Sequence, residues 1–302
     1  MDAHYLIILA GPTGIGKTPL AIRLARHLGT EIINADSRQI YREMKVGTAI
    51  PSPRQLAEVK HHLVGHRSIH EHYNASLFEQ EALQLLKLLF TRHNAVIMAG
   101  GSGLYINAVC HGIDDIPAVD PLVREHLNRE YLSGGLAGLK SRLLISDPDY
   151  YDKADLNNPK RILRALEIIE MTGKPYSSFL TGIAKMRNFK IIRFCLDMPR
   201  EELHARINQR VDAMMDEGLL EEVRELIPYR HMNALNTVGY KELFDYMDEK
   251  LSLNEAVEQI KGHTRQYARR QLTWFRRDKD FLWYAPHDED AILKKINEIM
   301  EL

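Results

Sequence analysis

The chain has 302 residues, 45% of them hydrophobic and 27% charged, with a formal net charge of -1. This composition excludes a disordered chain and a disulfide-stapled miniature, and leaves room for one large domain or two modest ones. No apolar run is long enough to span a bilayer, and Met1-Asp2-Ala3-His4 is too short and polar for a secretion signal, so the expected location is the cytoplasm without membrane contact.

Residues 5–10 form a continuous apolar run ending at glycine, the pattern of a buried parallel strand. Gly11-Pro12-Thr13-Gly14-Ile15-Gly16-Lys17-Thr18 follows, then a helical pattern to His27. Pro19 is compatible with that helix because it falls in the first turn. Residues 31–35 read as a second strand ending at Asp36, and 62–64 as a short third. Helical periodicity covers 76–91, and 95–99 is another buried strand closing on Gly100-Gly101. The next strand pattern is 190–196, and the last is 281–284. Strands alternating with helices predict an α/β fold, a P-loop NTPase-like parallel sheet flanked by helices.

The stretch between the strands at Met98 and Lys190 is too long for a plain crossover. It carries helical patterns at 121–131, 136–144 and 159–171, which predicts a helical insertion. The expected organisation is a core begun by 1–111, an insertion over 112–188, and a core completed by 189–302 with C-terminal helices. Basic residues concentrate near the end. Arg265, Arg269, Arg270, Arg276, Arg277 and Lys279 face only Asp278 across 264–279, enough for a local basic surface on a neutral protein.

Residues 11–18 match G-x-x-x-x-G-K-[ST] with a strand before and a helix after, the context that gives this motif its meaning. The glycines allow the backbone to wrap an anion, and its N–H groups meet phosphate oxygens at a helix N-terminus. Lys17 adds a mobile positive charge, and the Thr18 hydroxyl is a ligand for Mg²⁺. The motif predicts a bound diphosphate or triphosphate without naming the reaction, since kinases and ATPases share it. Asp36 leaves the carboxyl end of the second strand, the edge where open α/β sheets bind ligands. As a carboxylate there it serves as a metal ligand, a general base or a turn cap. Arg38 and Gln39 add donors.

The P-loop together with Asn34-Ala35-Asp36-Ser37-Arg38-Gln39-Ile40-Tyr41 resembles the bacterial tRNA dimethylallyltransferase family. Further matches are Val46-Gly47-Thr48-Ala49, His61-His62-Leu63, Gly100-Gly101-Ser102-Gly103-Leu104-Tyr105, Asn158-Pro159-Lys160-Arg161, Val238-Gly239-Tyr240-Lys241 and the segment from Thr264 through Gln271 to Trp274-Phe275. The resemblance spans nearly the whole chain. It implies transfer of a dimethylallyl group from dimethylallyl diphosphate to the exocyclic N6 amine of the adenosine beside the tRNA anticodon, with Mg²⁺, by a monomer. It implies that Lys17, Thr18 and Arg210 serve the diphosphate and that Asp36 accepts the amine proton. Asp36, Ser37, Arg38, Gln39, Ser102, Arg124, Lys160, Arg161, Arg164, Tyr240, Lys241, Arg265 and Arg269 become candidate contacts to the anticodon stem-loop. The competing expectation is a small-molecule kinase using ATP on the same loop.

Other features take plainer readings. Cys110 and Cys195 lie in apolar segments and read as buried free thiols. Tyr267, Trp274 and Phe275 read as core. His61, His62, His66, His70 and His72 read as a loop and strand cluster rather than a zinc site. Three positions depart from the family pattern: Pro19 follows Thr18 where a small or aliphatic residue is more usual, Ser102 stands where Thr is common, and Lys160 where Gln, Val or Arg is common.

Overall fold

The computed structural model of the protein describes residues 3–301, so Met1 and Asp2 of the N-terminal tetrapeptide lie outside the described residues. Among them, one wholly parallel sheet contains β1 (Tyr5–Ala10), β2 (Ile32–Asn34), β3 (His61–His62), β4 (Ala95–Gly100), β5 (Lys190–Leu196) and β6 (Leu282–Tyr284). Their order is β3-β2-β4-β1-β5-β6. The helices in chain order are α1 (Lys17–His27), α2 (Pro53–Glu58), α3 (Ala75–Leu89), α4 (Gly103–His111), α5 (Pro121–Ser146), α6 (Pro148–Tyr151), α7 (Pro159–Thr172), α8 (Arg200–Asp216), α9 (Leu219–Glu225), α10 (Tyr240–Met247), α11 (Leu253–Phe275) and α12 (Glu289–Met300).

The chain divides into two compact units, Met1–His111 with Met186–Leu302, and Gly112–Lys185. In the first unit, β1 lies between β4 and β5, with Tyr5 opposite Ala95 on one side and Lys190 on the other. All six β1 residues are buried, as a strand covered on both faces requires. Ile7, Leu9, Leu20, Leu24, Ile97, Phe194 and Ile207 pack into one core from strands and helices distant in sequence. Full burial of each such side chain contributes about 1.5–3 kcal/mol. Because the strands are parallel, their carboxyl ends share one edge, and the P-loop, Asp36 and Gly100-Gly101 all leave from it.

The second unit has its own core of Leu127, Leu139, Leu143, Ile162, Ala165, Leu166, Ile168 and Tyr176. Helix α7 begins where Asn158 caps the Lys160 amide and Pro159 occupies the first turn. It ends at Gly173, which is left-handed at φ 67°. The two helices expected over 121–144 are joined as α5, interrupted at Gly135 (φ 70°, ψ -168°). No helix among the described residues is long and apolar enough to cross a membrane.

Several boundaries differ from the sequence reading. The short third strand lies at His61–His62 rather than 62–64, because Leu63 turns the chain with φ 60°. β2 is two residues shorter than expected and β6 one. Helix α4 was not expected at all. Tyr105, Ile106, Ala108, Val109 and Cys110 are buried on several of its sides, so it lacks the polar stripe that betrays a helix. Both cysteines are buried free thiols. His62 pairs with Glu31 at 2.6 Å, His66 with Glu81 at 3.1 Å, and His70 meets the Tyr229 ring edge-on.

Candidate active site

The P-loop takes the conformation its glycines allow. Gly14 has φ +80°, and a Cβ there would sit 2.9 Å from the Ile207 side chain. A side chain at this position would therefore be both strained and crowded. Gly16 is left-handed at the N-terminus of α1, so the following amides and the helix dipole converge on the loop. Lys17 Nζ donates to the carbonyls of Gly11 (2.9 Å) and Pro12 (2.8 Å). Burial lowers its pKa from 10.5 to about 8, opposed by the negative charge of Asp36 and reinforced by Arg210.

Gln271 of α11 locks the loop in place. Its Oε1 accepts from the Thr13 amide at 2.9 Å, and its Nε2 donates to the Gly101 carbonyl at 2.8 Å. The side chain is 6% exposed, so both bonds are made away from water. The sequence places this residue in the matched segment 264–271 without marking its role. The available signal was a polar side chain on the face of α11 that also carries Ile260, Ala268 and Phe275.

The carboxylate of Asp36 is equally fixed. Its Oδ1 accepts from the Arg38 amide at 2.9 Å, an Asx turn, and its other oxygen has no protein hydrogen-bond partner among the described residues. The Ser37 amide donates to Ser102 Oγ at 2.8 Å, and the Ser102 amide donates to the Ala35 carbonyl at 3.1 Å. Ser102 thus ties the loop after β2 to the loop after β4. Arg38 donates to the carbonyls of Asn233 and Ala234.

Arg210 projects from α8 and donates to the Thr48 carbonyl at 3.3 Å. Burial holds its guanidinium pKa below the ordinary value, against the pull of Asp36. Gln39 donates to the carbonyls of Thr48 and Ala49, both at 3.0 Å. The segment before Thr48 is gripped by Glu222 of α9, another residue the sequence did not single out. Its carboxylate accepts from the amides of Lys45, Val46 and Gly47 at 2.8–2.9 Å, and from the Tyr240 hydroxyl at 2.7 Å.

Two cavities meet here. One, of about 510 Å³, is lined by the P-loop, including Lys17 and Thr18, with Asn34, Gln39, Arg206 and Gln209. The other, of about 620 Å³, runs between α8, α11 and the segment 236–242. Thr13, Asp36 and Arg210 line both. The larger cavity has an apolar wall of Ile207, Val211, Met214, Leu219, Val238 and Ile260. Arg38, Lys241, Tyr267 and Arg270 supply polar groups.

Two aromatic residues are exchanged relative to expectation. Tyr240 is fully buried, and a Cβ at Gly47 would lie 2.6 Å from its hydroxyl and 2.7 Å from its ring, so it supports the loop instead of presenting a face to RNA. Tyr267, expected in the core, lines the larger cavity, and burial beside Asp36 raises its phenol pKa. Phe275 is buried as expected, whereas Trp274 is half-buried beside a separate cavity of about 260 Å³. The two C-terminal basic residues differ: Arg265 is half-buried and donates to Asn208 Oδ1 at 2.6 Å, while Arg269 is exposed.

Four candidates belong to the insertion. Arg124 makes a two-pronged pair with Glu167, at 2.8 and 3.2 Å, and Arg164 lies 3.6 Å from the same carboxylate. Glu167 is 5% exposed, so these arginines neutralise a buried charge. Lys160 and Arg161 are exposed at the N-terminal turn of α7.

A phosphate cradle opening through a shared carboxylate and guanidinium onto a half-apolar cavity defines a P-loop protein built for group transfer rather than a simple nucleotide switch. The chain belongs to the IPP transferase family, whose description matches residues 39–278. That match begins after the P-loop. The chain is 52% identical over 289 residues to tRNA dimethylallyltransferase 1 of Bacteroides thetaiotaomicron, covering 96% of this chain and 94% of that one. It is 51% identical over 300 residues to tRNA dimethylallyltransferase of Christiangramia forsetii, covering 98% and 99%. Among solved structures, it is similar to the full-length tRNA isopentenylpyrophosphate transferase of Bacillus halodurans, with 33% identity and TM-score 0.73 over 99% of this chain and 97% of that one. It is also similar to a eukaryotic dimethylallyltransferase acting on tRNA, with 25% identity and TM-score 0.82 over 99% and 80%.

Proposed function

We propose that the protein transfers a dimethylallyl group from dimethylallyl diphosphate to N6 of the adenosine beside the anticodon of tRNA, acting as a cytoplasmic monomer. The observation that carries this reading is the pair of cavities joined at Asp36 and Arg210. Phosphate oxygens take the P-loop amides and Lys17. Arg210 reaches the same anion from α8. The allyl tail lies along the apolar wall, and the adenine amine approaches through the larger cavity.

The chemistry then balances. The C–O bond to diphosphate breaks while the allylic carbon gains the N6 bond. Positive charge on the cradle meets the negative charge growing on the leaving group. The amine gives its proton to the free oxygen of Asp36, within the reach a general base needs once substrate is bound. Adenine must leave its stack to enter, and this costs less from a single-stranded loop than from a duplex.

Mg²⁺ fits the residues present. Thr18 and Asp36 offer hard oxygens on one cavity. Among the described residues, no group of three or more His, Cys, Asp or Glu could hold a metal alone. The ion would therefore be held by Thr18, diphosphate oxygens and water, and would supply further charge to the leaving group.

For RNA contacts we assign Arg38 and Lys241 at the larger cavity, Ser37 through its backbone, and Arg269 and Arg265 on α11. Lys160 and Arg161 are exposed cations of the insertion, at the start of α7, whereas Arg124 and Arg164 hold Glu167. Gln39, Ser102 and Tyr240 act by shaping loops. An ATP-dependent kinase is not favoured, because the family match covers most of the chain downstream of the phosphate loop.

The test uses dimethylallyl diphosphate labelled in the allyl group, with Mg²⁺ and tRNA lacking the modification. Label is expected in RNA. Asp36→Asn is expected to slow kcat by about 10²–10⁴-fold, the usual contribution of a positioned general base, with little change in diphosphate KM. Full activity in Asp36→Asn would remove the proton-acceptor role.

A further inference from the structure

The larger cavity contains a pair of side chains that the transfer chemistry does not use. Glu242, on α10, is 4% exposed, and its Oε2 accepts from the Gly239 amide at 2.8 Å. Its Oε1 lies 2.6 Å from Nδ1 of His263 on α11. Both residues line the cavity beside Lys241 and Asp245. Almost half of the His263 side chain is exposed (46%), against 5% for its partner.

The geometry assigns the proton on Nδ1, since the carboxylate at 2.6 Å can only accept. A buried carboxylate oriented at one ring nitrogen fixes the plane of the imidazole. Nε2 is then the nitrogen left for the cavity, and it has no protein hydrogen-bond partner among the described residues. The pair also joins elements 21 residues apart in sequence. It ties the turn at Gly239, whose φ is +96°, to the middle of α11.

We propose that His263, oriented by Glu242, is an RNA-contacting residue: its Nε2 hydrogen-bonds the ribose–phosphate backbone of the tRNA as the acceptor adenosine enters the cavity. This rests on the tRNA reading above. A neutral ring accepts from a ribose 2′-hydroxyl, and a charged ring donates to a phosphate oxygen. The shared chemistry is a polar oxygen of the RNA backbone. Glu242 is a positioning residue that acts through His263.

The experiment measures steady-state prenylation with an anticodon stem-loop RNA, varying RNA and dimethylallyl diphosphate separately. His263→Ala is expected to raise KM for RNA about tenfold, as expected for one lost hydrogen bond, and to leave KM for the diphosphate unchanged. His263→Gln, which keeps a polar group at similar reach, is expected to recover part of the loss. Glu242→Gln should shift RNA KM in the same direction as His263→Ala, and the double variant should add little further. The two backbone sources separate by condition. A phosphate contact lowers the salt slope of binding by about one contact in His263→Ala. A hydroxyl contact leaves that slope alone, and single 2′-deoxy substitutions in the loop then reproduce the loss. Unchanged RNA KM in His263→Ala, with wild-type activity intact, overturns the proposal. Absence of prenylation by the wild type would instead overturn the tRNA reading itself.

Discussion

Lys17 illustrates how burial and charge set a residue's behaviour. Its ammonium is held by two carbonyls of its own loop, and burial brings its pKa to about 8. The sign is that of a base whose charged form is disfavoured. The ligand-free protein loses this proton as pH rises through about 8, well before an unburied lysine would. A bound diphosphate favours the charged form, so binding near pH 8.5 should take up protons and weaken as pH rises further. Calorimetry of diphosphate binding in two buffers of different ionisation enthalpy measures this. Heats independent of buffer would contradict it. The sequence made Lys17 and Asp36 legible because a motif or a strand end marks each. It could not separate Tyr240 from Tyr267. Both lie in helical segments, and only the approach of Gly47 decides which ring is enclosed.

At the scale of elements, the site depends on contacts between segments far apart in the chain. Glu222 on α9 holds the amides of residues 45–47, and the adjoining Thr48 carbonyl holds Arg210. Glu222→Gln turns a donor toward those amides. It should cost about 1.5–3 kcal/mol of stability, the range for hydrogen bonds to a charged group, and raise diphosphate KM. Urea unfolding and steady-state kinetics check the two effects. A change in stability with unaltered KM would detach the loop from Arg210. The strands β1 and β4 were readable because unbroken apolar runs need burial on both faces. Helix α4 was not readable, because its enclosure removes the polar face that periodicity detects. The roles of Gln271 and Glu222 were also hidden, since most of their partners are backbone groups, which carry no sequence signature.

At the scale of the whole molecule, a net charge of -1 coexists with exposed cations on α11 and α7. Phosphate contacts from such cations position RNA without reading its sequence. Arg269→Ala should therefore weaken tRNA binding and reduce its salt slope by about one contact, with diphosphate affinity unaffected. Filter binding across a salt series measures that slope, and an unchanged slope would return Arg269 to a merely solvated face. The central claim is the identity of the acceptor atom. Mass spectrometry of nucleosides from unmodified tRNA, incubated with the protein, Mg²⁺ and dimethylallyl diphosphate, tests it most directly. The account predicts N6-dimethylallyladenosine at the adenosine beside the anticodon, formed without ATP. Unmodified tRNA, together with ATP-dependent phosphorylation of a small molecule, would contradict it.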